Sequence, residues 1–239
     1  MRLIRPDWPL AGVQAFSTTR SGGVSTGCWA SLNLGATCGD DPAAVAENRA
    51  RLQQQLPGPA HWLRQVHGRR VISLDDWQEG IEADAAWTDR AGKVLVVQTA
   101  DCLPLLLADV EGDAVAVAHA GWRSLAADIP GCLVQALPVR PGRLVAWIGP
   151  AISAQRYAVG QAVYSAFQNL ELDLSTCFDG DEQGTMRCDL KAIACQLLMR
   201  SGVTRVLDCG LCTAADPERF FSYRRDGHCG RMATVIWRE

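Results

Sequence analysis

Residues 94–123 read VLVVQTADCLPLLLADVEGDAVAVAHAGWR, and this stretch decides the fold class. It holds three almost wholly apolar runs, at 94–99, 103–108 and 114–119. Runs of this kind are typical of strands that lie inside a layered sheet rather than at its edge. The polar residues and glycines between the runs favour turns. The stretch therefore predicts the central sheet of an α/β protein.

Strands and helices are predicted on both sides of this stretch. Further strands are predicted at 12–19, 61–67, 70–74, 143–148, 203–208 and 232–237. Helices are predicted at 42–55, 160–169 and 189–200, with one more after Gly121 that Pro130 must break or kink. The chain shows no internal repeat, low-complexity linker or change of composition. We therefore expect one α/β domain over residues 1–239.

Charge and hydropathy argue against nucleic-acid and membrane partners. Lys and Arg total 23 against 26 for Asp and Glu, which gives a net charge of -3, whereas a polyanion binder normally has a basic surplus. The longest apolar run, 93–107, is interrupted by Gln98, Asp101 and Pro104, so it is too polar to cross a bilayer. N-terminal prolines argue against a signal peptide. Ten cysteines in a chain with its own core do not require disulfides, and we expect a cytoplasmic protein.

Two of the four histidines stand at the ends of predicted strands and are followed by small residues: His67 and His119. Between them Cys102 follows a buried strand and adjoins Asp101. Side chains at strand ends can converge on one pocket. Two imidazoles and a thiolate suit zinc, and three protein ligands leave a fourth position for water or substrate. Taken singly, each residue also fits a structural role, so the spacing alone leaves both interpretations open.

Ten short motifs, in order along nearly the whole chain, carry a family resemblance. They are FSTTRSGGVS, SLNLG, GDDPAAVAENR, QVHG, ADAAWT, TADCLPLLLAD, AHAGWR, WIGPAI, FFSYRRDG and GRMA. Together they resemble the YfiH-like family, once described as polyphenol laccases and now as purine nucleoside phosphorylases with adenosine deaminase activity. The resemblance implies a single-domain α-β-β-α layered sandwich. It also implies a zinc ion held by His67, Cys102 and His119.

The implied substrates are phosphate and a purine nucleoside: adenosine, inosine, guanosine or methylthioadenosine. On this interpretation Asp101 and Arg123 are the catalytic candidates. Asp101 adjoins a predicted ligand and could transfer a proton or recognise the base. Arg123 follows His119 closely and could face the same pocket, or it could pair with Asp101.

Four further residues are candidates for substrate binding. Arg20 stands beside glycines that expose backbone N–H groups and could hold phosphate, although the same segment could be a solvated turn. Asn33 could bind a ribose hydroxyl or cap a loop. Gln65 belongs to the QVHG motif, and Arg224 belongs either to a second cationic patch or to a charged hairpin turn.

Other functions use the same residues differently. A copper phenol oxidase is one alternative, since copper binds imidazole and thiolate strongly, but multicopper chemistry needs more imidazoles than this chain has. A cysteine hydrolase with Cys102 as nucleophile and His119 as base is another, and a non-enzymatic zinc or nucleotide-binding protein is a third. Cys209 and Cys212 form a lone CxxC motif, which lacks the second pair of a zinc ribbon.

Overall fold

The computed structural model describes residues 1–8, 10–180 and 185–239, and its long strands follow the apolar runs of the sequence. The strands are β1 Leu3–Ile4, β2 Val13–Thr18, β3 Ala60–His61, β4 Val71–Ser73, β5 Ala85–Thr88, β6 Val94–Thr99, β7 Leu103–Asp109, β8 Val115–Ala120, β9 Leu144–Ile148, β10 Ala158–Val159, β11 Phe178–Gly180, β12 Met186–Cys188, β13 Arg205–Asp208 and β14 Met232–Arg238. The helices are α1 Pro42–Gln53, α2 Trp122–Ala126, α3 Ile129–Ala136, α4 Gln161–Phe167, α5 Leu190–Arg200 and α6 Tyr223–Asp226.

One sheet has five strands in the order β1-β2-β14-β6-β3. Its central strand, β14, runs antiparallel to both of its neighbours. Thr234 pairs with Ser17 of β2 on one side and with Val97 of β6 on the other. The middle of this sheet is therefore built from segments that lie far apart in the sequence.

A second sheet has six strands in the order β13-β9-β7-β8-β5-β4. Strands β7 and β8 are antiparallel, and Pro104 pairs with His119. Strand β5 is antiparallel to β8 on its other side, where Ala85 pairs with Ala118. This register places the residues just before β5, just before β7 and at the end of β8 at the same end of the sheet.

The two sheets pack face to face over a shared apolar core. Ala15 and Val97 contribute from the five-stranded sheet, and Leu106, Val117 and Trp147 contribute from the six-stranded sheet. Side chains alternate between the two faces of a strand, so the remaining apolar residues of these strands point outward and need cover. This alternation explains why both sheets have a second apolar face.

Helices cover both outer faces. Leu52 of α1 packs with Val94 on the outer face of the five-stranded sheet. Leu133 of α3 and Leu197 of α5 pack with Leu105 on the outer face of the six-stranded sheet. The order of layers is therefore helix, sheet, sheet, helix, which confirms the predicted α-β-β-α sandwich.

Local sequence signals explain where the helices begin. The Asp41 side chain accepts a hydrogen bond from the Ala43 N–H at 3.0 Å, as expected of an N-cap residue. The predicted helix after Gly121 is two helices, because α2 ends at Ala126 and Asp128 caps α3. Pro130 lies in the first turn of α3, where backbone N–H groups have no partner within the helix, so the missing N–H of proline costs nothing. Pro130 thus starts a helix rather than kinking one.

Two sequence predictions need correction. The strand predicted at 61–67 ends at His61, so His67 lies in a loop and not at a strand end. Strand β5 and the small β10-β12-β11 sheet were not predicted, because their runs are short and weakly apolar. All ten cysteines are free thiols. Within the described residues, no helix combines the length and the apolar character that a membrane crossing requires.

Candidate metal centre

Three side chains meet at one end of the six-stranded sheet: those of His67, Cys102 and His119. Cys102 lies in the turn between β6 and β7, His119 lies in β8, and His67 lies in the loop between β3 and β4. One potential ligand atom of each lies within 4.8 Å of the other two. Over residues 1–8, 10–180 and 185–239, no other group of three His, Cys, Asp or Glu side chains is placed to hold a metal ion. The structure thus brings the predicted ligands together, and the identity of the ion stays a prediction.

Gly121 makes this close approach possible. A Cβ atom at this position would lie 2.9 Å from Cys102 Sγ and 3.1 Å from His67 Nδ1. Neither distance leaves room for a carbon atom in normal contact. Glycine after β8 therefore keeps open the space that the ligand atoms surround, and any side chain there would push them apart.

Asp84 supports two of the three ligands and was not singled out from the sequence. Its buried carboxylate accepts hydrogen bonds from His119 Nδ1 at 2.8 Å, from the His67 N–H at 3.0 Å and from the Gly68 N–H at 2.7 Å. Burial raises the pKa of Asp84, but these hydrogen bonds lower it below its usual range. A carboxylate on the far nitrogen of a ligating histidine fixes the ring's tautomer and orientation. The sequence did contain a signal for Asp84, because it is a charged residue directly before the apolar segment AAWT.

Two residues of the site have left-handed backbone conformations that are unusual for residues other than glycine. His67 has φ 57° and Asp101, beside Cys102, has φ 90°. Each such residue costs on the order of 1–3 kcal/mol and persists only where surrounding contacts hold it. The bond from the His67 N–H to Asp84 and the bond from the Ile152 N–H to the Asp101 carbonyl supply such contacts. Strain of this kind is concentrated at functional sites.

The thiol and one imidazole of the site form an ion pair. Burial raises the pKa of Cys102, but the charge and hydrogen bonds of the histidines lower it to about 6. Burial lowers the pKa of His119, but the Cys102 thiolate and Asp84 raise it to about 9. Near neutral pH the pair is therefore a thiolate and an imidazolium. A divalent cation binding there would replace the proton on His119 and meet a thiolate that is already formed.

Asp101 lines the site, but its carboxylate is already engaged. Oδ1 accepts a hydrogen bond from Thr213 Oγ1 at 2.6 Å. Oδ2 accepts from Ser222 Oγ at 3.0 Å and from the Arg224 N–H at 2.6 Å. No ion pair joins Asp101 to Arg123 in the described part of the chain, which removes that alternative. Three donors on one carboxylate hold Asp101 in place, which suits it to positioning the neighbouring Cys102.

The ligands open onto a cavity of about 980 Å³. Arginines dominate its polar lining, and four of them have no carboxylate within 4.0 Å among the described residues: Arg49, Arg123, Arg224 and Arg231. Arg123 and Arg224 are exposed, whereas Arg49 and Arg231 are half-buried, and a partly buried charge is costly unless a partner compensates it. The cavity is therefore suited to an anionic ligand.

Two of these arginines surround Tyr157, close to the ligands. The Arg224 guanidinium lies over the Tyr157 ring, 4.7 Å from its centroid, and Arg123 lies over Trp122 at 4.3 Å. Burial and the negative charge of Cys102 raise the pKa of Tyr157 above its usual value. Arg224 and Arg123 act in the opposite direction but do not cancel this increase. The phenol is thus neutral and remains a hydrogen-bond donor.

The other predicted binding residues direct their polar groups to the protein. Arg20 donates to the carbonyls of Ala30 and Pro217 and does not line the cavity. Asn33 is fully buried and donates to Asp40, so it organises a loop. Gln65 does line the cavity, but its amide makes two hydrogen bonds with the backbone of Gln98. Arg224 lies in the short helix α6 and not in a hairpin turn.

The CxxC cysteines do not join the metal-ligating group. Cys212 Sγ accepts a hydrogen bond from the Ser153 N–H at 3.2 Å. Burial raises the pKa of Cys209 to about 11, which keeps that thiol protonated. In the part of the chain that the structure describes, neither cysteine lies in a cluster able to hold a metal ion.

Fold and site together define a layered α-β-β-α protein with a His–Cys–His group at one sheet end, open to a cationic cavity. The chain belongs to the family whose model is described as multi-copper polyphenol oxidoreductase laccase, which it matches over residues 14–239. That description and the names of the curated relatives imply different chemistry.

Curated relatives are similar over almost their whole length. A Xylella fastidiosa (strain Temecula1) protein named purine nucleoside phosphorylase is 47% identical, over 97% of this chain and 95% of its own. The Escherichia coli K12 protein named purine nucleoside phosphorylase YfiH is 43% identical, over 99% and 98%. Among solved structures, Neisseria meningitidis protein NMB0706 matches with a TM-score of 0.96 at 43% identity, over 100% of both chains. YlmD from Geobacillus stearothermophilus matches with a TM-score of 0.92 at 33% identity, over 100% and 97%.

Proposed function

We propose that this chain is a zinc-dependent purine nucleoside phosphorylase with an adenosine deaminase side activity. One observation carries the proposal: the His67, Cys102 and His119 group opens onto a cavity lined by arginines that lack carboxylate partners. The full-length relatives named purine nucleoside phosphorylase support the same activity. The proposed substrates are phosphate and adenosine, inosine, guanosine or methylthioadenosine, converted in the cytoplasm, where thiols stay reduced.

The residues present fit a zinc ion. Two imidazole nitrogens and one thiolate are a usual zinc donor set with an open fourth position. Gly121 leaves space at the ligand atoms, and Asp84 orients His119 from behind. When bound, zinc would act as a Lewis acid at this end of the cavity. The donor set offers a place for one ion, and for this reason we prefer zinc to a multicopper centre.

We propose that Arg123 and Arg224 hold the phosphate ion. Both lack a carboxylate partner in the described residues, and both lie beside Tyr157 near the ligands. Guanidinium groups bind phosphate through two parallel N–H donors and stabilise charge on the transferring oxygen. Arg224 Nη1 also donates to the Ala158 carbonyl. This assignment replaces the one predicted for Arg20, which does not line the cavity.

Asp101 takes a positioning role in this proposal. Its carboxylate holds the Arg224 backbone at 2.6 Å and lies next to Cys102 in sequence. It therefore fixes a phosphate-binding arginine and a metal ligand relative to each other. The neutral Tyr157 phenol remains available to donate a hydrogen bond to the departing base.

A second candidate function is favoured by one specific observation. Cys102, His119 and Asp84 form a continuous chain in which His119 Nδ1 lies 2.8 Å from Asp84 Oδ1, as in cysteine hydrolases. In such an enzyme the thiolate is the nucleophile and no metal is required. His67, which also contacts the thiolate, has no role in that scheme.

The deciding experiment combines metal analysis with product analysis. Purified protein is expected to contain about one zinc per chain, to release adenine from adenosine only with phosphate, and to release ammonia with or without it. Chelator-treated protein should lose both activities and recover them with zinc. Phosphorolysis retained in the chelated protein would contradict the zinc requirement, and ammonia release retained there without phosphorolysis would favour the cysteine hydrolase. Zinc-loaded protein that releases no purine base in the presence of phosphate would contradict the proposal.

A further inference from the structure

The unpaired arginines of the cavity fall into two pairs on different elements. Arg123 of α2 and Arg224 of α6 form the inner pair, because their charges and that of Cys102 all act on Tyr157. Arg49 of α1 and Arg231, just before β14, form the outer pair. Phosphorolysis with inorganic phosphate requires one anion site, and the inner pair provides it. The outer pair has no role in the function proposed above.

One segment holds both outer arginines on the same wall. Arg49 Nε donates to the Leu34 carbonyl at 3.0 Å. The Leu34 N–H in turn donates to the Arg231 carbonyl at 3.1 Å. The Arg231 side chain passes so close to Gly35 that a Cβ atom there would lie 2.7 Å from its Cγ. Two guanidinium groups therefore approach the cavity from a shared support.

Both guanidinium groups keep donors free for a ligand. The Arg49 group stacks on the Trp62 ring, 3.9 Å from its centroid, and burial lowers its pKa. Its terminal nitrogens have no protein acceptor among the described residues, since Nε makes the hydrogen bond to Leu34. Among the described residues the Arg231 guanidinium donates only through Nη1, to the carbonyls of Cys229 and Gly230 and to Cys229 Sγ. A stacked, partly desolvated arginine with free terminal N–H groups is well suited to a phosphoryl dianion.

The cavity also has room for a larger ligand. Its 980 Å³ stands near the top of the range of about 300–1,000 Å³ for small-molecule sites. During phosphorolysis the anomeric carbon C1′ must face the inner pair, because phosphate attacks it. C5′ lies outside the ribose ring, attached to C4′ on the side of the ring away from C1′. A substituent on O5′ would therefore extend away from the breaking bond and toward the rest of the cavity.

We propose that Arg49 and Arg231 form a second anion subsite, which binds the 5′-phosphoryl group of a nucleoside 5′-monophosphate. The inference rests on the proposed function for the placement of the nucleoside, and it adds a ligand class to that function. The subsite makes the cavity bind a purine nucleotide more tightly than the corresponding nucleoside. The inner pair stays free for inorganic phosphate.

The test measures binding and needs no turnover. Titration calorimetry on the zinc-loaded full chain would compare 9-deazainosine with 9-deazainosine 5′-monophosphate, in the wild type and in Arg49→Gln, Arg231→Gln and Arg64→Gln. The carbon–carbon glycosidic bond of these ligands resists phosphorolysis, and their base has no amino group to lose. Arg64 is the matched control, because it also lines the cavity but already pairs with Glu82 at 2.9 Å. The wild type is expected to favour the nucleotide by about tenfold, and each outer-pair variant to lose about that factor, as for one charged hydrogen bond. The affinity for the nucleoside should stay within about twofold throughout, and Arg64→Gln should change the affinity for neither ligand.

A second arm places the phosphoryl group. Titrations repeated in saturating inorganic phosphate should leave the nucleotide preference intact, because the ion occupies the inner pair. A preference that phosphate removes would put the phosphoryl group at the inner pair and overturn the proposal. So would equal affinity for the two ligands, or a preference retained when Arg49→Gln and Arg231→Gln are combined. Arginine-dependent nucleotide binding without any phosphorolysis would support the subsite while removing the proposed function.

Discussion

Replacing Asp84 by Asn tests how the candidate metal centre is held. The substitution keeps the size of the side chain but removes its charge and one of its acceptor oxygens. In the structure the carboxylate accepts four hydrogen bonds, from His119 Nδ1 and from the N–H groups of Val66, His67 and Gly68. All four partners are donors. The oxygen of an Asn side chain can accept hydrogen bonds from the two donors on one side only. Its NH₂ group must then face the other two donors, with which it cannot form hydrogen bonds.

The magnitude follows from this count. Each buried donor left without an acceptor costs about 1–3 kcal/mol, so two lost bonds lower the free energy of unfolding by about 2–6 kcal/mol. The ring of His119 also loses the carboxylate that orients it. Changes of this kind behind a ligating histidine weaken metal binding by about 10- to 100-fold. We therefore expect Asp84→Asn to lose both stability and zinc affinity.

The assay is competition for zinc with a chromophoric chelator near pH 7, together with thermal unfolding. Asp109→Asn is the matched control, because Asp109 is equally buried but bonds to Arg143 at the other end of β7. The control should lose stability with unchanged zinc affinity. Wild-type zinc affinity in Asp84→Asn, or an equal loss in Asp109→Asn, would refute the supporting role of Asp84.

Further predictions concern four other variants. Gly121→Ala should reduce bound zinc well below one per chain by mass spectrometry, because the new methyl group lies 2.9 Å from the ligating sulfur; full zinc occupancy would show that the loop adjusts. Replacing Cys209 and Cys212 together by Ser should leave zinc content unchanged, and a loss of metal would mean that these cysteines belong to the site. Arg123→Ala should raise the KM for phosphate by about 10- to 100-fold, as for a lost charged hydrogen bond, with ammonia release less affected. Arg20→Ala should instead lower the free energy of unfolding by about 1–2 kcal/mol with little change in that KM, and the reverse pattern in the two variants would restore Arg20 as the phosphate ligand.

The layered fold and the three candidate ligands could be predicted from the sequence. Runs such as that of Val94–Thr99 are apolar on both faces, and only a strand between two packed layers buries both. His67, Cys102 and His119 stand next to such runs, and the ordered motifs around them supplied the rest. The placement of His67 at a strand end was wrong, although its role in the group was not affected.

The walls of the cavity could not be predicted, because they depend on contacts between distant segments. Arg49 and Arg231 are 182 positions apart and meet only through their hydrogen bonds to Leu34. Arg20 and Arg123 are equally plausible phosphate ligands from the sequence, since Arg20 stands close to two glycines and Arg123 close to the predicted ligand His119. Only the packing of Arg20 against Phe221 and two carbonyls distinguishes a structural arginine from one that faces the cavity.

Strand β14 has a consequence for the order in which the molecule is assembled. It lies between β2 and β6, and both of those strands form their ladders with it. While residues 232–238 are still in the ribosome, β2 and β6 each present an unpaired edge that is prone to association with other chains. The five-stranded sheet can close only after those residues emerge. Ribosome-bound chains must therefore keep that side of the sandwich core exposed until residues 232–238 have emerged.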